Sequence, residues 1–386
     1  MRSAGSNKRA AQLRQGRPER SIKWSSRRSR NKFASRYATL NLGTQLKQYR
    51  TYVLVLVGLI ILNGCSTRSN QTDVFQHSEV GSITPWNGEQ FDNSPGKFTF
   101  AIFTDLTGGE REGIFDVAIS QLSLLRPELI LSVGDLIEGE SQNPDSLAQE
   151  WDIFDRRAER ATAPVFYTGG NHDLTGQVLR EVWMERYGRR YYHFVYKGVL
   201  FLILDTEDHP LARMEEIQQA RTAAIAMAAV DPDSSSKMEY YQMHERVTGQ
   251  IGAEQAEYFT RVIGENPDVR WTFLLMHKPV WLNNDDAEFE SIISAVGDNH
   301  FTVFNGHFHR YAYEERNGAD FIMLGTTGGG QSLTNPMAFD HITLVTVDEG
   351  KPSIANLRLD GILDKTGSIG LDGDSLCFQM SSILCY

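Results

Sequence analysis

Residues 98–105 read Phe-Thr-Phe-Ala-Ile-Phe-Thr-Asp, a nearly unbroken apolar run that stops on Thr104 and Asp105. A run of this length that ends on turn-forming residues is the pattern of a buried strand. It recurs along the chain. Leu129–Val133 stops on Gly134-Asp135, and Val165–Tyr167 is followed by Gly169-Gly170-Asn171-His172-Asp173. Trp271–Met276 runs into His277-Lys278-Pro279, and Phe301–Phe304 into Asn305-Gly306-His307-Phe308-His309. Val199–Leu204, Phe321–Leu324 and Ile342–Val347 are further runs of the same kind, while Arg111–Leu125 and Ser146–Arg160 place apolar residues at helical intervals. This alternation predicts an α/β fold.

Five of these strands deliver Asp, Asn or His at their carboxyl ends, which is where open α/β sheets bind ligands. Carboxylates, a carboxamide oxygen and several imidazoles that converge make a ligand set for divalent Mn, Fe, Zn or Co. Gly134, Gly170 and Gly306, each just before a candidate ligand, allow the sharp turn that such placement needs. A single Asp at a strand end is ordinarily a turn residue. The joint pattern carries the argument.

The order Asp105, Gly134-Asp135, Gly170-Asn171-His172-Asp173, His277, Gly306-His307-Phe308-His309 resembles the calcineurin-like metallophosphoesterase family across residues 97–347. The resemblance implies a four-layer α/β sandwich, with helices flanking two packed mixed β-sheets. It implies two divalent metal ions bridged by Asp135, with Asn171, His277 and His307 as ligands of the second and Asp105 and His309 as ligands of the first. It makes His172 the group that protonates the leaving oxygen and Asp173 a candidate to orient it. The implied reaction is hydrolysis of a phosphomonoester or phosphodiester, in which a metal pair neutralises phosphoryl oxygens and activates water for in-line attack.

One position departs from the family. Where the pattern has Asp-x-His, this chain has Asp105-Leu106-Thr107, and a threonine hydroxyl is a poor substitute for imidazole. Three readings follow: a weaker first site, a first site completed by Glu138, or a catalytically silent binding or scaffold protein on the same fold. Glu138 enters because it lies three residues after Asp135, the offset at which the purple acid phosphatase branch places a tyrosine ligand. Asp285 and Asp286 read as loop acids, and His193 as a residue packed beside a strand.

The charge of the 386-residue chain divides unevenly. Residues 1–64 hold fourteen Lys or Arg against one acid, Glu19, so the overall balance of -11 leaves -24 for the rest. With 41% apolar and 23% charged residues the chain is not disordered throughout. Residues 47–65 combine a basic stretch (Lys47 to Arg50), an apolar run (Tyr52 to Leu62) and Leu62-Asn63-Gly64-Cys65. That is the order of a signal peptide, and its ending resembles the bacterial lipobox, with Cys65 as the lipidated residue. The run is too short to span a bilayer, which takes about 20 residues. Residues 1–46 form a basic leader, either a disordered tail or sequence ahead of a start near Leu46.

The expected location is therefore the bacterial cell envelope, membrane-anchored through lipid. Ser66, where inner-membrane lipoproteins usually carry Asp, favours the outer membrane facing the periplasm. The acidic balance favours a small phosphorylated substrate over a nucleic-acid polymer, which wants a basic groove. Residues 66–96, rich in Ser, Asn, Gln, Gly and Pro, read as a flexible tether ahead of a domain over 97–358. Residues 207–250 read as an inserted helix and loop near the site mouth, and 359–386 as a peripheral tail. Cys377 and Cys385 are a candidate disulfide.

Overall fold

The computed structural model describes residues 74–378 except 283–285, 298–299 and 333. The chain divides into two units, Met1–Asn70 and Gln71–Tyr386, and every described residue belongs to the second. The leader, the signal peptide, Cys65, Asp285 and Cys385 lie outside the described residues. Cys377 is disulfide-bonded.

In chain order the elements are β1 (Phe75–His77), β2 (Phe98–Phe103), α1 (Ile114–Leu125), β3 (Leu129–Ser132), α2 (Pro144–Ala158), β4 (Val165–Phe166), α3 (Asn171–Leu174) and α4 (Gln177–Tyr187). There follow β5 (Tyr192–Tyr196), β6 (Val199–Ile203), α5 (Leu211–Ala228), α6 (Pro232–Ser235), α7 (Ala253–Glu265), β7 (Trp271–Leu275) and α8 (Ala287–Val296). The remainder are β8 (Phe301–Asn305), β9 (Ala312–Arg316), β10 (Ala319–Met323), β11 (His341–Val347) and β12 (Ser353–Arg358).

Two mixed sheets form, in the orders β12-β11-β2-β3-β4 and β1-β5-β6-β7-β8-β10-β9. Strands β2, β3 and β4 are parallel, as are β6, β7, β8 and β10. The inner faces pack through aromatics. Phe100 of the first sheet meets Phe201 and Phe273 of the second edge to face, with ring centroids 5.2 and 4.9 Å apart, the arrangement that the ring quadrupole favours. On the outer face of the first sheet, α1, α2 and α4 bury Phe115, Trp151, Phe154 and Trp183. On the outer face of the second, α7 and α8 bury Phe259, Val262, Phe289 and Ile292. The result is four layers: helix, sheet, sheet, helix.

Local chemistry sets several element ends. Asn143 caps α2 by accepting from Asp145 N (2.8 Å) and Ser146 N (3.2 Å), with Pro144 at the first helical position, where a missing N–H costs nothing. Asp286 caps α8 by accepting from Phe289 N at 2.8 Å, which gives this loop acid a structural task. His193, on β5, is buried with Nδ1 2.7 Å from Tyr258 Oη.

The flexible tether expected over 66–96 does not hold for its described part. β1 pairs antiparallel with β5, and Trp86 is buried and stacked on Phe166 at 5.4 Å. Asn87 adds a two-way link to Val165, with N···O distances of 3.0 and 2.8 Å. Polar composition hid three aromatic anchors, Phe75, Trp86 and Phe91, which pack on the inter-sheet core. Removing one buried aromatic of this size typically costs about 3–5 kcal/mol. The tail is likewise less peripheral than its composition suggests, since Leu359, Ile369 and Phe378 are buried against the first sheet's helices.

Candidate functional site

Strands β2, β3 and β4 belong to one sheet, β7 and β8 to the other, and the carboxyl ends of all five meet at one edge of the sandwich. The loops are tied together there: Asp105 N donates to Gly134 O at 3.1 Å and Gly306 N to His277 O at 3.1 Å. The backbone is unusual at this edge. Asp105, Asp135, His307 and His309 all have left-handed conformations, with φ of 45°, 56°, 77° and 51°. Such conformations are unfavourable for residues with a Cβ and concentrate where surrounding structure imposes them for function. Close approach explains two of the glycines. A Cβ on Gly306 would lie 2.1 Å from Asp105 Oδ2, and one on Gly170 would lie 2.3 Å from Asp135 Oδ1.

Two groups of side chains could each hold a metal ion, Asp135 with His277 and His307, and Asp105 with Asp135 and His309. In each group the ligand atoms lie within 4.8 Å of one another, and Asp135 is common to both. Asn171 joins the first group, with Oδ1 3.1 Å from His277 Nε2. Asp105 Oδ1 lies 3.3 Å from His309 Nε2 and accepts from His307 N at 3.0 Å.

Hydrogen bonds prepare the imidazoles. His277 Nδ1 faces Val133 O at 2.8 Å and His309 Nδ1 faces Gly330 O at 2.5 Å, so each donates there and turns Nε2 toward the carboxylates. His307 Nε2 faces Arg246 O at 2.8 Å, which leaves Nδ1 buried with no hydrogen-bond partner. A buried lone pair without a partner, beside a carboxylate and a second imidazole, fits a cation.

The electrostatics agree. Burial would raise the Asp135 carboxyl, but His277 and His172 hold it well below the usual carboxylate range. Burial disfavours charge on His277, yet Asp135, 3.1 Å away, outweighs it and raises His277 to about 9. His307 is held well below the usual imidazole range by burial and then by His277 and Lys278. Without metal, the Asp135–His277 pair is thus an ion pair whose shared proton stands where a cation would bind.

A pH dependence follows. Below about pH 9 a metal must displace the proton on His277 Nε2, so affinity should fall by about tenfold per pH unit on going from 9 toward 7 for that one proton. Calorimetric titration of Mn²⁺ in buffers of differing ionisation heat should record proton release on binding. An affinity that does not change across this range would contradict the protonated ground state.

His172 is held by its own backbone and by its ring. Its N–H donates to Asp135 Oδ1 at 2.9 Å, and its Nδ1 donates to Glu138 O at 2.6 Å. Nε2 is then the nitrogen available on the cleft side, next to Gly108. Asp173 does not orient this ring as expected. Its Oδ1 accepts from Leu136 N (2.9 Å) and Ile137 N (3.2 Å), and its Oδ2 from Gly170 N (2.8 Å). It joins the Asp135 and Asn171 loops, and burial with the Asp135 charge pushes it up to about 8.

The structure does not bring Glu138 into either group. Its carboxylate accepts from the backbone N–H of Gly108 (3.1 Å), Gly109 (3.1 Å) and Glu110 (2.8 Å). Thr107 is also engaged elsewhere, its hydroxyl donating to Ile137 O at 2.8 Å and Asp135 O at 3.2 Å. Thr107 and Glu138 thus bind the β2 and β3 loops to each other, and the second group keeps Asp105, Asp135 and His309.

The insertion lies beside these residues. It leaves and returns at one point, where Gln250 N donates to Thr206 O at 2.9 Å. Buried Lys278, next to His277, is fixed by Glu207 (2.7 Å) at the start of the insertion and by Glu245 O (2.8 Å) near its end. From α5, buried Arg221 donates to Gly139 O at 3.1 Å and stands 3.1 Å from His172 Nδ1. Reading the sequence alone did not single out Arg221. Its signal was its place on the buried stripe of α5 with Met214, Ile217 and Ala224. A cleft of about 450 Å³ opens onto the site, lined by Asp135, Asn171, His172 and His307 on one side and by Arg221, Tyr240, Tyr241 and Arg246 on the other.

Two solved structures give a likeness of fold. A dimetal phosphatase from Danio rerio is 14% identical, with 69% of this chain and 97% of that chain covered at a TM-score of 0.48. The purple acid phosphatase PPD1 from yellow lupin (Lupinus luteus) seeds is 14% identical, with 69% and 52% covered at 0.46. Among curated proteins none matches the chain in sequence. The family model for calcineurin-like phosphoesterase matches residues 98–311. That span is more than half of the 386 residues and holds both ligand groups, so the chain belongs to the calcineurin-like phosphoesterase family.

Proposed function

We propose that this protein hydrolyses a small phosphomonoester or phosphodiester at a centre of two divalent metal ions of the Mn, Fe, Zn or Co class. The observation that carries this reading is the position of Asp135, shared by two groups of ligand atoms and aimed by a left-handed backbone. Asp135, Asn171, His277 and His307 would hold one ion, and Asp105, Asp135 and His309 the other. The second of these has only three protein ligands, which leaves positions open to substrate oxygens. When bound, the two cations neutralise charge on the phosphoryl group and acidify water.

The chain's own residues do the rest. His172 Nδ1–H is held by Glu138 O, so once the ring is protonated to imidazolium the proton for the leaving oxygen is given from Nε2 and the ring is left neutral. Burial lowers the basicity of His172 against the opposing pull of Asp135, and Arg221 behind the ring adds to the lowering. Chelator-stripped protein should hydrolyse p-nitrophenyl phosphate or its bis-ester only after Mn²⁺ is restored. A lack of metal-dependent turnover on a broad phosphoester panel would instead favour a silent scaffold.

The reading includes export and lipid anchoring at Cys65, supported by the order of charge, apolar run and cysteine over residues 47–65. Cells fed labelled palmitate should transfer label to the wild type and not to Cys65→Ser. Label on the Cys65→Ser protein would contradict it.

A further inference from the structure

We infer that the cleft selects phosphoesters whose leaving group carries a second anionic group, and that the guanidinium of Arg246 receives that group. The inference rests on the phosphoesterase reading above and concerns the substrate class.

Arg246 ends a short turn, His244–Arg246, near the end of the insertion. Its carbonyl accepts from His307 Nε2 at 2.8 Å, so its backbone is anchored to a candidate metal ligand and its side chain lines the same cleft. Among the described residues its guanidinium makes no hydrogen bond and no ion pair. It lies over the ring of Tyr241, 4.7 Å from the centroid. A guanidinium laid on an aromatic face is held in place while its N–H edge stays free for a carboxylate or phosphate.

The acids nearby in sequence or in the cleft lining are not paired with it. Neighbouring Glu245 is bound to Arg213 at 2.7 Å. Glu140, which also lines the cleft, is exposed and makes no ion pair with Arg246. Arg221, the other arginine of the lining, is different because its N–H groups already serve Gly139 O and Glu138 O. In a domain with twice as many acids as bases, an arginine that faces the reaction cleft without an acid is a specificity device. Charge-assisted, forked hydrogen bonds supply the selectivity.

The test compares phenyl phosphate with 4-carboxyphenyl phosphate and hydroquinone bisphosphate, with Mn²⁺, in wild type, Arg246→Gln and Arg246→Lys. Wild type should prefer the dianionic-leaving-group substrates in kcat/KM by about tenfold or more. The ratio to phenyl phosphate should collapse toward one in R246Q and be partly kept in R246K. A higher ratio for the carboxylate or for the phosphate arm identifies which anion is favoured. Calorimetric affinities of 4-carboxyphenylphosphonate and phenylphosphonate should follow the same order without turnover. No preference in wild type, or a preference that survives in R246Q, overturns the inference. Absent turnover of every substrate with the phosphonate preference intact would strike the phosphoesterase reading alone.

Discussion

Replacing Asp135 by asparagine should strip both cations and lower turnover by three orders of magnitude or more. The size follows from losing charge stabilisation worth several kcal/mol, at about 1.4 kcal/mol per decade of rate. Asp135 is buried, its Oδ2 3.1 Å from His277 Nε2, and its Oδ1 accepts the His172 N–H at 2.9 Å. Asparagine keeps the shape and that acceptor but removes the charge both groups share. Metal stoichiometry by mass spectrometry, read beside kcat, checks this. A variant that keeps one ion at wild-type affinity would show that the two groups do not share Asp135.

His172→Ala should lower kcat by about 10²–10⁴, the usual range for removing a general acid. The loss should depend on the leaving group. A p-nitrophenolate leaves with little help, whereas an alkoxide needs its proton, so the variant's rates should fall more steeply with leaving-group basicity than those of the wild type. Metal content should not change, because the ring is not among the grouped ligands. An equal loss on aryl and alkyl esters would assign His172 to binding.

The strands that carry the site were legible because they are buried on both faces and read as plain apolar runs. Each runs into a candidate ligand where the chain turns at the sheet edge, three of them through a glycine, Gly134, Gly170 or Gly306. Four strands escaped notice: β9 is an exposed polar edge (Ala-Tyr-Glu-Glu-Arg), β12 is half-exposed, β1 is only three residues long, and β5 (Tyr-His-Phe-Val-Tyr) is buried but has its apolar run interrupted by His193. Aromatic anchors in polar surroundings, Trp86 above all, turned an expected tether into part of the domain.

Within the site, ligand types were readable but loop paths were not. Glu138 lies at a plausible offset from Asp135, yet the left-handed turns at Asp135 and Gly139 direct it to the N–H groups of residues 108–110. At Gly139 a Cβ would collide with His172 O, a contact that linear spacing does not reveal. Asp173 shows the same limit, with both oxygens turned to backbone rather than to His172. Arg221 and Arg246 come from a segment readable only as an insertion, and their roles depend on where that segment folds back.

The central claim is a two-metal centre bridged by Asp135. A crystal structure of Mn²⁺-loaded protein with anomalous data at the metal edge tests it most directly. Two peaks are predicted, one among Asp135, Asn171, His277 and His307 and one among Asp105, Asp135 and His309. A single peak, or a second ion held by Glu138 with Asp135 bound to only one ion, would contradict it.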